Sequence, residues 1–157
     1  MTASVRLRLR AEDEADLQVL AACLQDALVP LADMIWLRDQ RRFAMVVNRF
    51  MWEVPPERVE DEAGAPREVY SRTHGILSIR KVRAVQLRGI DQRDRDRILE
   101  LLTIRPEADC LFLEFAGGGC MRIMVDAIDC ALEDVGAPWP TGWRPSHSGD
   151  EPPRGAS

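Results

Sequence analysis

Three glycines and a cysteine stand together in FAGGGCMRI, Phe115 to Ile123. Such a cluster could cradle a phosphate, activate a thiol or reverse the chain. A phosphate loop needs G-x-x-x-x-G-K-[ST] leading into a helix. Here no Lys, Ser or Thr follows the glycines, and the next residues, MRIMV, read as a strand. A nucleophilic Cys120 would need a base and an anion-stabilising backbone. The chain has only two histidines, His74 and His147, and neither is near Cys120 in sequence. The glycines are therefore read as a turn, because glycine supplies the positive φ that a tight reversal demands.

The remaining reactive residues form no recognised set. Cys23, Cys110, Cys120 and Cys130 contain no C-x-x-C, and two histidines cannot complete the usual zinc patterns. The cysteines are expected to be small buried apolar residues. Asp126, Asp129 and Glu133 could align carboxylates for a cation, but no ligand motif accompanies them, so a solvated acidic face is the preferred reading. No catalytic residue, metal or cofactor is assigned. A dispersed active site drawing on His74, Asp91 or Glu53 is kept as a rival, because catalytic groups need no sequence adjacency.

Charge points to a surface instead. Twenty of the 21 basic residues are arginine, and Lys81 is the only lysine. Between Arg72 and Arg97, eight basic residues face three acids, whereas the whole chain carries a formal charge of -5. Arg80, Arg83 and Arg88, with the indoles of Trp139 and Trp143, form the expected partner surface. The interleaved Asp91, Asp94 and Asp96, the acidic total and the lack of an aromatic-basic RNA motif argue against nucleic acid. A weak anionic-surface binder through Arg72–Arg97 is a further alternative.

The elements that must position these residues follow from periodicity. Leu17, Leu20, Leu24, Ala27 and Leu28 fall on one helical face, which predicts a helix from Asp13 to Leu28 with Asp13 as its cap and Pro30 as its end. Met34–Leu37 and Phe43–Arg49 flank a polar turn and predict a hairpin with Phe43, Met45 and Val47 on one side. Residues 53–69 hold three prolines and six acids and are read as a mobile loop. Gly75–Ile90 gives two strands, or one bent near Arg80 and Lys81. Ile98–Ile104 could be helix or strand, and its neighbours suit a strand better.

A loop of Gly117–Gly119 would place Phe115 opposite Met121, Leu113 opposite Ile123 and Leu111 opposite Val125. All six are apolar, and the other face would pair Glu114 with Arg122 and Phe112 with Met124. Asp126–Gly136 has helical spacing at Ile128, Ala131, Leu132 and Val135 and predicts a closing helix. PWPTGWRP is read as too proline-rich for helix or sheet, with its indoles laid over an apolar edge.

The segments ALVPLADMIWL, VVNRFMWE, AVQLRGID, LEFAGGG and IDCALEDVGAPWPTGWRPSH resemble the signature segments of an uncharacterised bacterial family, a domain of unknown function. The resemblance spans residues 5–147 and is most specific in LEDVGAPWPT. It implies a small bacterial protein without assigned activity and transfers no site residue.

Together these readings predict one α+β domain over residues 1–147, mostly antiparallel, followed by a disordered tail at 148–157. The element order suggests a pleckstrin-homology-like split barrel with an N-terminal and a C-terminal helix. The function favoured is a non-enzymatic binding or protein-interaction module, for a protein partner or small ligand, with homo-oligomerisation left open. The charged N-terminus lacks a signal-peptide core and no apolar run is long enough to span a membrane, so the expected compartment is the cytoplasm.

Overall fold

The computed structural model describes residues 6–145. Among the described residues the first elements are strand β1 (Arg8–Ala11) and the single α-helix α1 (Glu14–Cys23). Asp13 caps this helix, its side chain accepting from the Asp16 amide at 2.8 Å, which satisfies one of the amides a helix start leaves without a partner. Leu17, Leu20 and Leu24 are buried as the periodicity requires. The helix stops at Cys23, well short of Leu28. Asp26 adopts φ 62° and Ala27–Pro30 form strand β2, so Ala27 and Leu28 are strand residues whose spacing matched the helix by coincidence.

Nine further strands follow among the described residues: β3 (Met34–Leu37), β4 (Arg42–Phe50), β5 (Glu57–Glu60), β6 (Pro66–Ile79), β7 (Val82–Arg88), β8 (Ile98–Glu107), β9 (Cys110–Phe115), β10 (Cys120–Val125) and β11 (Cys130–Thr141), with short 3-10 turns at Leu31–Asp33 and Arg38–Gln40. The main path runs β1-β11-β6-β4-β2-β8-β9-β10-β7, with β3 added to β4 and β5 to β6. Every pairing is antiparallel. This open eleven-stranded sheet with one helix corrects the expected α+β, pleckstrin-homology-like arrangement with helices at both ends. The sheet curls so that β7 faces β3 across a small cavity lined by Met34 and Trp36 on one side and Val85 and Leu87 on the other. Val82 N donates to Arg41 O at 2.9 Å where the two edges approach.

The expected closing helix is the largest departure. Its region forms β11, in which Cys130, Leu132 and Asp134 point into the interior and Ala131 and Glu133 do not. The inward period of two was hidden because one of its members is a carboxylate. Glu53–Val69 likewise contains β5 and the start of β6, a hairpin whose reversal is held by Asp61, whose side chain accepts from Ala63 N and Ala65 N. β11 also continues through Pro138 and Pro140, past a bulge between Val135 and Trp139.

Other readings match the fold. Met34 pairs with Met45 and Trp36 with Phe43, and Phe43, Met45 and Val47 are buried. Ile98–Ile104 lies in β8, and β6 passes to β7 through Arg80 and Lys81, the latter at φ 58°. The glycine cluster does reverse a ribbon, but the loop is Ala116–Gly118, closed by Phe115 N donating to Gly119 O at 2.9 Å. Met121 therefore pairs with Leu113 and Ile123 with Leu111, two residues away from the expected register. A slip of two preserves which face each side chain takes. Leu111, Leu113, Phe115, Met121, Ile123 and Val125 are all buried, while the expected pairs Glu114–Arg122 and Phe112–Met124 do not form.

Candidate functional site

The same register builds a groove on the outer face. Across four adjacent strands, Arg105 of β8 pairs with Phe112 of β9, Phe112 with Arg122 of β10, and Arg122 with Gln86 of β7. In the neighbouring row Arg88 of β7 pairs with Cys120. These side chains line a depression of about 980 Å³ that also includes Gln92 and Gly118. The guanidinium carbons of Arg105 and Arg122 lie 4.8 Å and 6.0 Å from the centroid of the Phe112 ring, within range of cation–π attraction. Phe112 is thus an aromatic floor between two planar cations.

Neighbouring groups set the charge of the groove. Arg105 is paired with Glu107 and with Glu114, the latter at 3.2 Å. Hydrogen bonds to Glu107, then Glu114, hold its pKa above the ordinary arginine value. Arg122 Nε donates to Cys110 Sγ at 3.3 Å, which likewise raises the Arg122 value. Among the described residues Arg88 makes no ion pair. Arg105 is therefore locally neutralised, and Arg88 and Arg122 carry the positive potential. A planar guanidinium presents donors in a fork that fits carboxylate or phosphate. The lining includes no histidine or carboxylate to act as a base, and Cys120 is its only nucleophile. The arrangement can bind an anion bearing a flat or apolar part.

Of the five residues expected to form a partner surface, Arg88 alone lines this groove. Arg80 is exposed at the β6–β7 corner, where its amide donates to Asp129 O at 2.8 Å. Arg83 is held by Asp109 and by Asp126, the latter at 3.2 Å. Trp139 of β11 is half-buried, its ring 4.6 Å from that of His74. Trp143 is half-buried just beyond β11, its amide donating to Thr141 Oγ1. The basic segment is dispersed as well: Arg72 is buried and donates to Asn48, Arg93 pairs with Asp91, and Arg95 donates to Ala32 O.

Each residue named for a dispersed site is engaged by a partner of its own. His74 stacks on Trp139, Asp91 accepts from Arg93, and Glu53 binds Arg49. His147 lies outside the described residues. The acids considered for a cation are engaged by arginine: Asp126 by Arg41 and Arg83, Asp129 by Arg10, and Glu133 by Arg8. Among the described residues no group of three or more His, Cys, Asp or Glu side chains could hold a metal ion. Burial pushes the Cys130 thiol up to about 12, with Asp129 adding to the effect, and burial also raises Cys23. Both shifts favour the thiol over the thiolate.

Arg49 is a separate cluster with a structural role. It is fully buried, its Nε and Nη2 donating to Asp134 at 2.8 Å and 2.7 Å, and its Nη1 and Nη2 donating to Glu53 at 2.9 Å and 2.6 Å. Burial alone would lower the arginine pKa, but these two carboxylates outweigh it and raise it. Asp134 also accepts from Leu7 N at 3.3 Å, so the cluster joins β4, β11 and the residue before β1.

A family model for proteins of unknown function matches residues 7–147, nearly the whole described chain. The chain belongs to the DUF2948 family. The groove-lining strands β7 to β10 of this DUF2948 protein all fall within the match. No curated protein and no solved structure matches the chain. Sequence reading missed Arg105, Phe112 and Arg122 because they sit on three different strands. The available signal was that Phe112 and Arg122 both fall on the outward positions of the glycine hairpin.

Proposed function

We propose that this DUF2948 protein is a non-enzymatic binding module that docks an acidic segment of a protein partner in the Arg88–Phe112–Arg122 groove. The observation that carries this reading is the cross-strand row, in which two guanidinium groups flank one exposed-face aromatic ring over a depression large enough for several side chains. A carboxylate would meet the forks of Arg88 and Arg122, and an apolar neighbour in the same segment would meet Phe112.

A fluorescently labelled peptide alternating Glu and Phe supplies the test, followed by anisotropy at low and moderate ionic strength. Binding should weaken with salt, and Arg122→Glu or Arg88→Glu should weaken it about tenfold or more, since a charge-assisted hydrogen bond contributes roughly 1.5–3 kcal/mol. Equal affinity of both variants and the parent would remove the groove from the function.

A further inference from the structure

A second aromatic concentration lies at the end of β4, away from the groove. Phe50 is buried and contacts two rings, Trp52 at 4.6 Å between centroids and Tyr70 of β6 at 5.4 Å. With Glu68 and the Pro55–Pro56 turn they line a cavity of about 290 Å³. Arg144 forms part of the same wall, its guanidinium over the Trp52 ring at 5.7 Å from the centroid.

Tyr70 is within hydrogen-bonding reach of that arginine, and each wall also has a contact of its own. The Trp52 indole N–H donates to Gln25 O at 2.9 Å, and Tyr70 OH donates to Glu68 at 2.8 Å. Tyr70 is also registered against Thr141 by the β6–β11 ladder. Arg144, by contrast, follows the end of β11, is exposed, and makes no ion pair among the described residues. Aromatic faces with an adjacent carboxylate attract cations, most strongly those that shed water easily, such as guanidinium and alkylated ammonium. The geometry points to a binding site for an organic cation, formed by Phe50, Trp52, Tyr70 and Glu68, whose Trp52 face is covered in this structure by the chain's own Arg144. A ligand of that class competes with Arg144, whose own side chain is exposed.

This inference stands apart from the groove, and failure of either leaves the other intact. The test follows the Trp52 indole N–H resonance of the ¹⁵N-labelled full chain, assigned with Trp52→Phe, during titration with methylguanidinium and with tetramethylammonium. Arg144→Ala should give a saturable shift at concentrations about tenfold lower than the parent, the scale of one lost intramolecular cation–π competitor. Tyr70→Leu in the Arg144→Ala background should abolish it, and Glu68→Gln in that background should weaken it and serves if the tyrosine variant loses its folded spectrum. Short peptides carrying arginine or trimethyl-lysine form a second arm: tighter binding than the free cations assigns the ligand to a protein side chain, and weaker binding to a small molecule. No saturable shift in Arg144→Ala, or an equal shift after Tyr70→Leu and Glu68→Gln, would overturn the assignment.

Discussion

Arg49 occupies the inward position that follows Met45 and Val47 on β4, where an apolar side chain would be expected, and it is fully buried. Its charge is tolerated because Asp134 and Glu53 supply four hydrogen bonds. Removing one partner of a buried pair leaves the other charge desolvated and uncompensated, which costs about 3–5 kcal/mol. Arg49→Met should therefore lose about that much stability in urea unfolding at neutral pH, and adding Asp134→Leu should recover part of it. A loss below about 1 kcal/mol would show that water reaches Asp134.

Glu53 makes the same cluster sensitive to acid. Burial would raise its pKa, but the hydrogen bonds and charge of Arg49 outweigh burial and hold it below the ordinary carboxyl value. Because the folded value is below the unfolded one, the stabilisation is complete above the unfolded pKa and is lost as pH falls through the folded pKa. Unfolding measured from pH 6 downwards should show stability falling below about pH 4.5, near the ordinary glutamate range. Glu53→Gln should flatten that part of the curve, and an unchanged slope would separate Glu53 from the acid response.

At the scale of elements, apolar alternation was legible and polar alternation was not. The β3–β4 hairpin could be read from Phe43, Met45 and Val47, and β9 and β10 from buried faces that are wholly apolar. β11 could not, since Asp134 interrupts its inward series and Ile128, Ala131, Leu132 and Val135 mimic a helix. The glycine ribbon was found with the correct faces but a register two residues off, because hydrophobic pattern fixes parity whereas turn geometry fixes the pairing. Gly75 belongs to the same logic. Opposite Asp134 in the ladder, its missing side chain leaves room for that carboxylate, and a Cβ there would stand 3.3 Å from both Asp134 Oδ1 and Leu132 Cδ1. Gly75→Ala should cost about 1–3 kcal/mol by overpacking, measured by thermal or urea unfolding. Ala108, in the turn between β8 and β9, works in the opposite direction. It adopts φ 54°, a conformation that disfavours a Cβ. Ala108→Gly should be neutral to stabilising, by up to about 1 kcal/mol, whereas clear destabilisation would mean the alanine side chain contributes packing that outweighs its strain.

At the scale of the molecule, a long antiparallel sheet curls around one apolar core, and its outward positions are left free to carry recognition. The charge asymmetry between Arg72–Arg97 and the remainder was legible in the sequence, but its use was not. Arg72 turns inward, Arg83 and Arg93 are neutralised by carboxylates, and only Arg88 joins the groove. The other arginines of the groove, Arg105 and Arg122, come from beyond that segment and meet only through the β8–β9–β10 pairing. Spatial rows across strands cannot be read before the register is known.

Mapping backbone amide shifts while adding the Glu-Phe peptide at low salt tests the binding groove most directly. Saturable changes should concentrate at Gln86–Arg88, Arg105, Phe112 and Cys120–Arg122 and disappear in Arg122→Glu. Saturable changes confined to other strands, or none at all up to millimolar peptide, would contradict the groove's role.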